Sequence, residues 1–175
     1  MFNKFKPVWM VESVYQISAE QLEKHNIKAV FCDLDNTLIA WNNPNGTEEL
    51  LAWIEEMKEN NIHVTIVSNN KGDRVQKVAE HLKLHYIPRA LKPLKKGYRQ
   101  AIEQAGVPMD QCVMVGDQLI TDIFGANRLG LKTILVIPIL NSDAWNTRIN
   151  RFFERIIMKK LLKDDPDMKW RKRLD

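Results

Sequence analysis

The 175 residues are enough for one compact domain with its own hydrophobic core and too few for two large domains. Apolar residues make up 45% and charged residues 27%, as in globular proteins, and the formal net charge is only +4. No apolar run approaches the roughly 20 residues that span a bilayer, so we expect no transmembrane segment. The first residues lack the apolar region of a signal peptide, and Cys32 and Cys112 lie in predicted buried strands. We therefore expect a cytoplasmic protein with reduced thiols.

The predicted elements alternate between strands and helices, although residues 1–17 receive no assignment. Apolar runs bounded by turn-forming residues predict strands at 28–32, 63–67, 85–87, 112–115 and 132–137. Helical caps, periodicity and terminal glycines predict helices at 18–25, 47–60, 73–82, 93–105 and 121–129. This alternation predicts an α/β fold with a doubly wound parallel sheet.

The first predicted strand ends in two carboxylates. Asp33 and Asp35 are two residues apart, so they leave the strand on the same side. Residues just beyond the carboxyl end of such a strand face the crevice in which open α/β sheets bind ligands. Two like charges held close together are costly unless a cation lies between them. The pair therefore predicts a bound Mg²⁺.

Four short motifs follow one another at or near the ends of the predicted strands. Residues 33–37 read Asp-Leu-Asp-Asn-Thr, Ser68 closes the second strand, and Lys92 precedes a helix. Asp117 follows a glycine at the end of the fourth strand, and Asp122 comes shortly after it. In this order the motifs resemble those of the haloacid dehalogenase (HAD) superfamily, over residues 28–137. The resemblance implies a Rossmann-like, HAD-like sheet in which the first motif strand lies between the second and the fourth.

The resemblance also implies the central chemistry. Asp33 would attack phosphorus and form an aspartyl-phosphate, and Asp35 would protonate the leaving group and later deprotonate the hydrolytic water. The carboxylates of Asp33 and Asp117, with the backbone carbonyl of Asp35, would hold Mg²⁺. An Asp at the second position favours a phosphatase over the dehalogenases and transport ATPases of the superfamily.

The remaining motif residues are expected to support this chemistry. Lys92 would place a positive charge beside the nucleophile, and Ser68 and Asn69 would bind the phosphoryl oxygens with it. We expect Thr37 and Asp122 to support these groups without contacting the phosphate or the metal themselves. Asp122 would orient either metal-bound water or Lys92, and the alternative is a carboxylate that only begins the following helix.

The gaps between motifs are too short for a cap domain. We therefore predict a capless domain at 1–143, followed by a basic, amphipathic helical extension at 144–175. Within 148–163, an apolar stripe at helical spacing is flanked by arginines and lysines and consists of Ile149, Phe152, Phe153, Ile156, Ile157 and Leu161. Such a helix either lies on an anionic membrane or packs on the protein's own sheet or on a second copy.

The segments Val-Ser-Asn-Asn, Ala-Leu-Lys-Pro and Gly-Asp-Gln-Leu resemble subfamily IIIA. Within it they are similar to the bacterial YqeG-like proteins, relatives of the mitochondrial phosphatidylglycerophosphate phosphatase. That resemblance implies a Mg²⁺-dependent phosphomonoesterase for a phospholipid at the inner membrane surface. The alternatives are a phosphatase for soluble metabolites or nucleotides and a non-catalytic module that binds phosphate or membrane. We expect no nucleic-acid partner, and the oligomeric state is left open.

Overall fold

A computed structural model of the chain describes residues 2–140 and 148–175. The strands within them are β1 (Trp9–Val11), β2 (Ala29–Cys32), β3 (His63–Val67), β4 (His85–Ile87), β5 (Cys112–Gly116) and β6 (Lys132–Val136). The α-helices are α1 (Ala19–Lys24), α2 (Glu48–Glu59), α3 (Gly72–Leu82), α4 (Lys95–Ala105), α5 (Gly125–Leu129) and α6 (Arg148–Asp164). A π-helix spans Leu119–Phe124, and short 3₁₀-helices lie at Asn3–Phe5, Val14–Gln16 and Met109–Gln111.

The strands form one parallel sheet in the order β1-β6-β5-β2-β3-β4. Strand β2 is central, and its Val30 aligns with Val64 of β3 on one side and with Val113 of β5 on the other. Strand order reverses between β2 and β5, which makes this junction the topological switch point of the sheet. The predicted doubly wound α/β fold is confirmed, as is the predicted position of the first motif strand.

Strands β2 and β5 are apolar along their whole length, and both faces of the sheet are buried at these strands. Successive strand side chains point to opposite faces. Val30 and Cys32 accordingly join the core beneath α1, α2 and α3, whereas Ala29 and Phe31 pack on the other face against Tyr98 of α4. Burial on both faces holds the ends of these strands rigidly, and the motif residues begin at those ends.

The connections between the motif strands are short. Only a loop and α2 separate β2 from β3, and α3 alone separates β3 from β4. The Thr47 side chain accepts a hydrogen bond from the backbone N–H of Leu50 at 3.2 Å, which begins α2 where the sequence predicts it. Among the described residues, these connections hold no large cap, in line with the predicted fold class.

Two segments differ from their prediction. Trp9–Val11 of the unassigned N-terminal region is an edge strand, parallel to β6. The helix predicted at 121–129 begins as a π-helix at Leu119 and becomes α-helical only at Gly125. π-Helices are rare and are frequent at functional sites.

Helix α6 confirms the helix predicted at 148–163, but the predicted apolar stripe divides between two faces. Leu161 is buried, and Ile157 is half-buried against the cluster formed by Met10, Leu119, Ile123 and Leu135. Phe152, Phe153 and Ile156 are instead 60%, 52% and 52% exposed. The Ile149 side chain and the predicted boundary between 143 and 144 lie outside the described residues. No described helix has the length and apolarity needed to cross a bilayer.

The residues after α6 return to the sheet. Arg171 donates its N–H to the carbonyl of Met10 and accepts one from Glu12, both at 3.0 Å, which continues the sheet beyond β1. Leu174 is only 2% exposed and belongs to the main core. The described part of the C-terminal extension is therefore packed on the domain rather than detached from it.

Candidate active site

The motif residues meet at one edge of the sheet because β2, β3 and β5 are parallel neighbours. The N–H of Asp33 donates to the carbonyl of Val115 at 3.0 Å, which fixes Asp33 against the end of β5. Asp117 follows β5 directly, and Ser68, which is buried, follows β3. Three strand ends thus deliver three functional side chains to the switch point, where ligands bind in open α/β sheets.

A lysine bridges the carboxylates of this site. Lys92 Nζ donates to Oδ1 of Asp33 at 2.9 Å and to Oδ1 of Asp122 at 2.6 Å. Burial alone would lower the pKa of Lys92, but the charges of Asp122 and Asp33 outweigh it and hold that pKa above its ordinary value. Lys92 is therefore a fixed positive charge beside the predicted nucleophile.

Asn69 positions this lysine through its backbone. The Asn69 side chain accepts the Lys92 N–H at 2.7 Å and donates to the Lys92 carbonyl at 2.8 Å. The sequence predicts a phosphate contact for Asn69, and the structure adds this positioning contact to it. Because an amide nitrogen carries two N–H groups, the contact with Lys92 leaves Asn69 a second donor.

Asp117 is buried and held from two directions. The Thr37 hydroxyl donates to its Oδ1 at 3.0 Å, in agreement with the supporting position predicted for Thr37. Arg151 of α6 forms an ion pair with its Oδ2 and donates to its backbone carbonyl at 2.8 Å. Burial and the charge of Asp33 raise the pKa of Asp117 to about 6, against the opposing effect of Arg151.

Asp122 lies inside the site and is fully buried. It accepts the Lys92 ammonium and, through Oδ2, the N–H of Gln118 at 3.1 Å. Of the predicted alternatives, this geometry supports the one in which Asp122 orients Lys92. Gly116 makes room for it, since a Cβ at that position would lie 2.2 Å from Cγ of Asp122.

Asp35 stands apart from the carboxylate cluster. Its Oδ1 accepts from Arg74 Nη2 at 2.6 Å, and its Oδ2 accepts from the Asn70 amide. Arg74 also donates to the carbonyl of Trp41 at 2.9 Å, so it ties Asp35 to the loop before α2. Burial raises the pKa of Asp35 although Arg74 opposes it. A raised pKa favours the protonated form that a general acid must supply.

Three functional candidates escaped the sequence analysis, namely Asn70, Arg74 and Arg151. Asn70 directly follows the second motif, and Arg74 lies on the first turn of α3, so their closeness to that motif was an available signal. Arg151 had no such signal, because only the packing of α6 brings it to Asp117.

The residues fit a hard divalent cation. Single ligand atoms of Asp33, Asp117 and Asp122 lie within 4.8 Å of one another. Carboxylate oxygens are the ligands that Mg²⁺ prefers. Asp33 and Asp117 directly follow the neighbouring strands β2 and β5 and are the carboxylate ligands that the sequence predicts, whereas Asp122 is fully buried and engages both Lys92 and the Gln118 N–H. The Asp35 side chain is turned to Arg74, which leaves its backbone carbonyl as the predicted third ligand.

Comparison with known proteins agrees with this geometry. The family model described as haloacid dehalogenase-like hydrolase matches residues 30–90, and one described as HAD-hydrolase-like matches residues 90–137. The "Probable phosphatase YqeG" of Bacillus subtilis is 45% identical over 157 residues, which cover 90% of this chain and 91% of the relative. The chain belongs to the haloacid dehalogenase superfamily of phosphatases. This confirms the resemblance that the motifs carried.

Other phosphatases match less of the chain or only its fold. The "Glyceraldehyde 3-phosphate phosphatase" of Pyrococcus furiosus is 34% identical over 55 residues, which cover 31% of this chain and 23% of the relative. The crystal structure of the 3-deoxy-D-manno-octulosonate 8-phosphate phosphatase of Yersinia pestis superposes with a TM-score of 0.51. It is 14% identical and covers 86% of this chain and 89% of its own. At that identity it shows the fold alone.

Proposed function

We propose that this HAD phosphatase is a Mg²⁺-dependent phosphomonoester hydrolase that acts through an aspartyl-phosphate on Asp33. The observation that carries the proposal is the buried cluster in which Lys92 contacts both Asp33 and Asp122, next to Asp117. A buried lysine between carboxylates is costly to build and supplies positive charge where a phosphoryl group brings negative charge.

The positions of the side chains support the following reaction. A carboxylate oxygen of Asp33 attacks phosphorus while Lys92, Ser68 and the backbone amides near Ser68 stabilise the phosphoryl oxygens. Asp35, held by Arg74, gives its proton to the leaving oxygen as the bond from phosphorus to that oxygen breaks. Asp35 then takes a proton from water, whose oxygen attacks phosphorus and releases phosphate and the Asp33 carboxylate.

A bound divalent cation would be held by Asp33, Asp117 and the backbone carbonyl of Asp35, and it would offset the repulsion between nucleophile and phosphate. Asp122 keeps Lys92 in place without touching the phosphate itself in this mechanism. Asn69 holds the Lys92 backbone and would donate its second amide N–H to a phosphoryl oxygen. Thr37 orients Asp117.

Two substitutions test the chemistry. Asp33→Asn should abolish release of phosphate from p-nitrophenyl phosphate with Mg²⁺, while Asp110→Asn on the exposed surface serves as the matched control. Asp35→Asn should slow alkyl phosphates more than p-nitrophenyl phosphate, because the poorer leaving group needs the proton. Turnover of wild-type size in Asp33→Asn would refute the nucleophile, and an equal loss on both substrates would refute the acid.

We propose a phospholipid monophosphate, phosphatidylglycerophosphate in particular, as the substrate. Within residues 2–140 and 148–175 no large cap encloses the site, so a phosphate on a large molecule has access to it. Large apolar side chains are exposed in the segments that surround this edge of the sheet, namely Trp41, Leu91, Leu94, Ile137 and Ile139. Exposed apolar groups of this kind mark interaction surfaces, including those for membranes.

Helix α6 supports the same substrate. Its outward face exposes Phe152, Phe153 and Ile156, with Arg155 and Lys159 exposed on the same helix. An apolar face flanked by cations is typical of helices that lie on anionic membranes. We therefore also propose peripheral association with the cytoplasmic face of the membrane.

The lipid substrate is tested with phosphatidylglycerophosphate in vesicles of phosphatidylglycerol and phosphatidylcholine. The double substitution Phe152→Ser and Phe153→Ser should reduce phosphate release from vesicles at least tenfold and leave p-nitrophenyl phosphate turnover unchanged. Leu51→Ser, on exposed α2, is the control and should change neither. If soluble sugar phosphates or nucleotides are hydrolysed better than the lipid, with no effect of the double substitution, the alternative of a soluble substrate replaces this proposal.

A further inference from the structure

An apolar cavity of about 180 Å³ lies next to Asp117, on the side of the site opposite to Asp35. It lies between the end of β6, the π-helix, α6 and the C-terminal segment and opens to solvent. Its apolar wall is formed by Leu119, Leu135, Val136, Pro138, Met158 and Trp170. The phosphatase chemistry proposed above uses none of these side chains.

The charged groups in the wall largely neutralise one another. Arg151 pairs with Asp117 and, at 3.3 Å, with Glu154, whose other oxygen accepts the N–H of Ile120 at 3.0 Å. Arg155 also lines the cavity, but this residue is exposed to solvent. Because most of the charged groups in the wall already pair with one another, the interior is poorly suited to an anionic group and suits an uncharged, apolar ligand.

We propose that this cavity is a binding site for the alkyl chain of a lipid phosphate whose phosphate lies at Asp33. The proposal rests on the proposed hydrolase function and deepens it, because Asp117 belongs both to the carboxylate cluster and to the cavity wall. The glycerol and phosphodiester groups that join the phosphate of phosphatidylglycerophosphate to its acyl chains would connect Asp33 to the cavity on the solvent side, near Arg155. The cavity thereby adds recognition of the chain to recognition of the phosphate.

The size of the cavity sets the expected chain-length dependence. An apolar cavity of about 150 Å³ holds one benzene ring, so this one accommodates on the order of seven carbon atoms. Burial of each methylene group should strengthen binding about fourfold. Affinity should therefore rise with chain length up to roughly seven carbons and then level off, because longer chains extend into solvent.

Alkylphosphonates test the proposal because their carbon–phosphorus bond is not hydrolysed. Isothermal titration calorimetry of the full chain with Mg²⁺ would give Kd values for methyl-, butyl-, heptyl- and decylphosphonate, each kept below its micelle concentration. We expect Kd to fall steeply from methyl to heptyl and to change less than twofold from heptyl to decyl. A flat series overturns the proposal, whether the cavity is filled by a segment of the chain itself or simply does not bind alkyl groups.

A matched pair of variants places the effect in the cavity. Met158→Trp fills the cavity and should remove the gain with chain length, whereas Ile156→Trp, on the exposed face of the same helix, should retain it. An unchanged gain in Met158→Trp would locate the alkyl site elsewhere and refute the proposal. The wild-type series decides the question even if Met158→Trp folds poorly.

The hydrolase proposal and the alkyl-site proposal can be refuted independently of each other. Hydrolysis of p-nitrophenyl phosphate without a chain-length gain would keep the hydrolase and exclude the alkyl site. A chain-length gain without hydrolysis would keep the binding site and exclude the hydrolase.

Discussion

Replacement of Lys92 by Met is the sharpest test of the site's electrostatics. The change removes the ammonium that lies 2.9 Å from Asp33 and 2.6 Å from Asp122 and keeps a side chain of similar length. Removing one partner of a buried ion pair costs about 3–5 kcal/mol, because the remaining charge is left without compensation. In a domain of this size each kcal/mol corresponds to about 2–4 °C, so the Tm should fall by roughly 6–20 °C.

The assay is urea unfolding followed by circular dichroism, in EDTA and then in Mg²⁺. Lys96→Met, on the exposed face of α4, is the control and should stay close to wild type. The loss should be greater at pH 8 than at pH 5.5, since protonated carboxylates need no lysine, and Mg²⁺ should restore part of the stability by binding the uncompensated carboxylates. A free energy of unfolding within about 0.5 kcal/mol of the control would mean that Lys92 does not hold this cluster together.

Three further predictions concern neighbouring residues. Arg151→Gln should lower the Kd for Mg²⁺ about tenfold or more in calorimetry without substrate. Arg151 pairs with Oδ2 of Asp117, so in the variant Mg²⁺ no longer has to displace a charge-assisted hydrogen bond. An unchanged or weaker affinity would contradict this. Arg74→Met should slow hydrolysis of alkyl phosphates by about 10²-fold and that of p-nitrophenyl phosphate much less, since Asp35 loses the partner that positions it as the acid. An equal loss on both substrates would disprove this role of Arg74. Without metal, urea midpoints should fall as pH rises from about 4 to about 6, because the raised pKa of Asp117 makes the folded state bind more protons in that window. Asp117→Asn should reduce this slope but not remove it, since burial also raises the pKa of Asp35, Asp122 and Glu154. A slope that stays at its wild-type size would exclude Asp117 as a source.

The sheet could be predicted from sequence wherever a strand is buried on both faces. Strands β2 and β5 are continuous apolar runs and β3 is mostly apolar, and polar motif residues follow all three, so pattern and chemistry pointed to the same boundaries. Strand β1 was missed because three residues at a sheet edge show no period, and its partner β6 lies at the far end of the chain. The sequence around residues 9–11 gives no indication of that pairing.

The face of α6 that packs on the domain was not predictable from its apolar stripe. The inward face carries Glu154, Met158 and Leu161, together with Arg151 at Asp117, so two charged residues replace apolar ones there. Periodicity identifies a helix that has an apolar side, but Phe152 and its neighbours show that this side can face solvent. The ion pairs that orient the helix exist only once the site is assembled.

The absence of a side chain at residue 116 has a consequence for other sequences. A Cβ there would overlap Asp122 at 2.2 Å, and Asp122 holds the ammonium of Lys92. Even alanine would have to displace the carboxylate and, through it, the lysine. A homologous chain with a bulkier amino acid at this position must therefore arrange its lysine differently or lack hydrolase activity, which makes this glycine a simple marker for sorting active from inactive homologues.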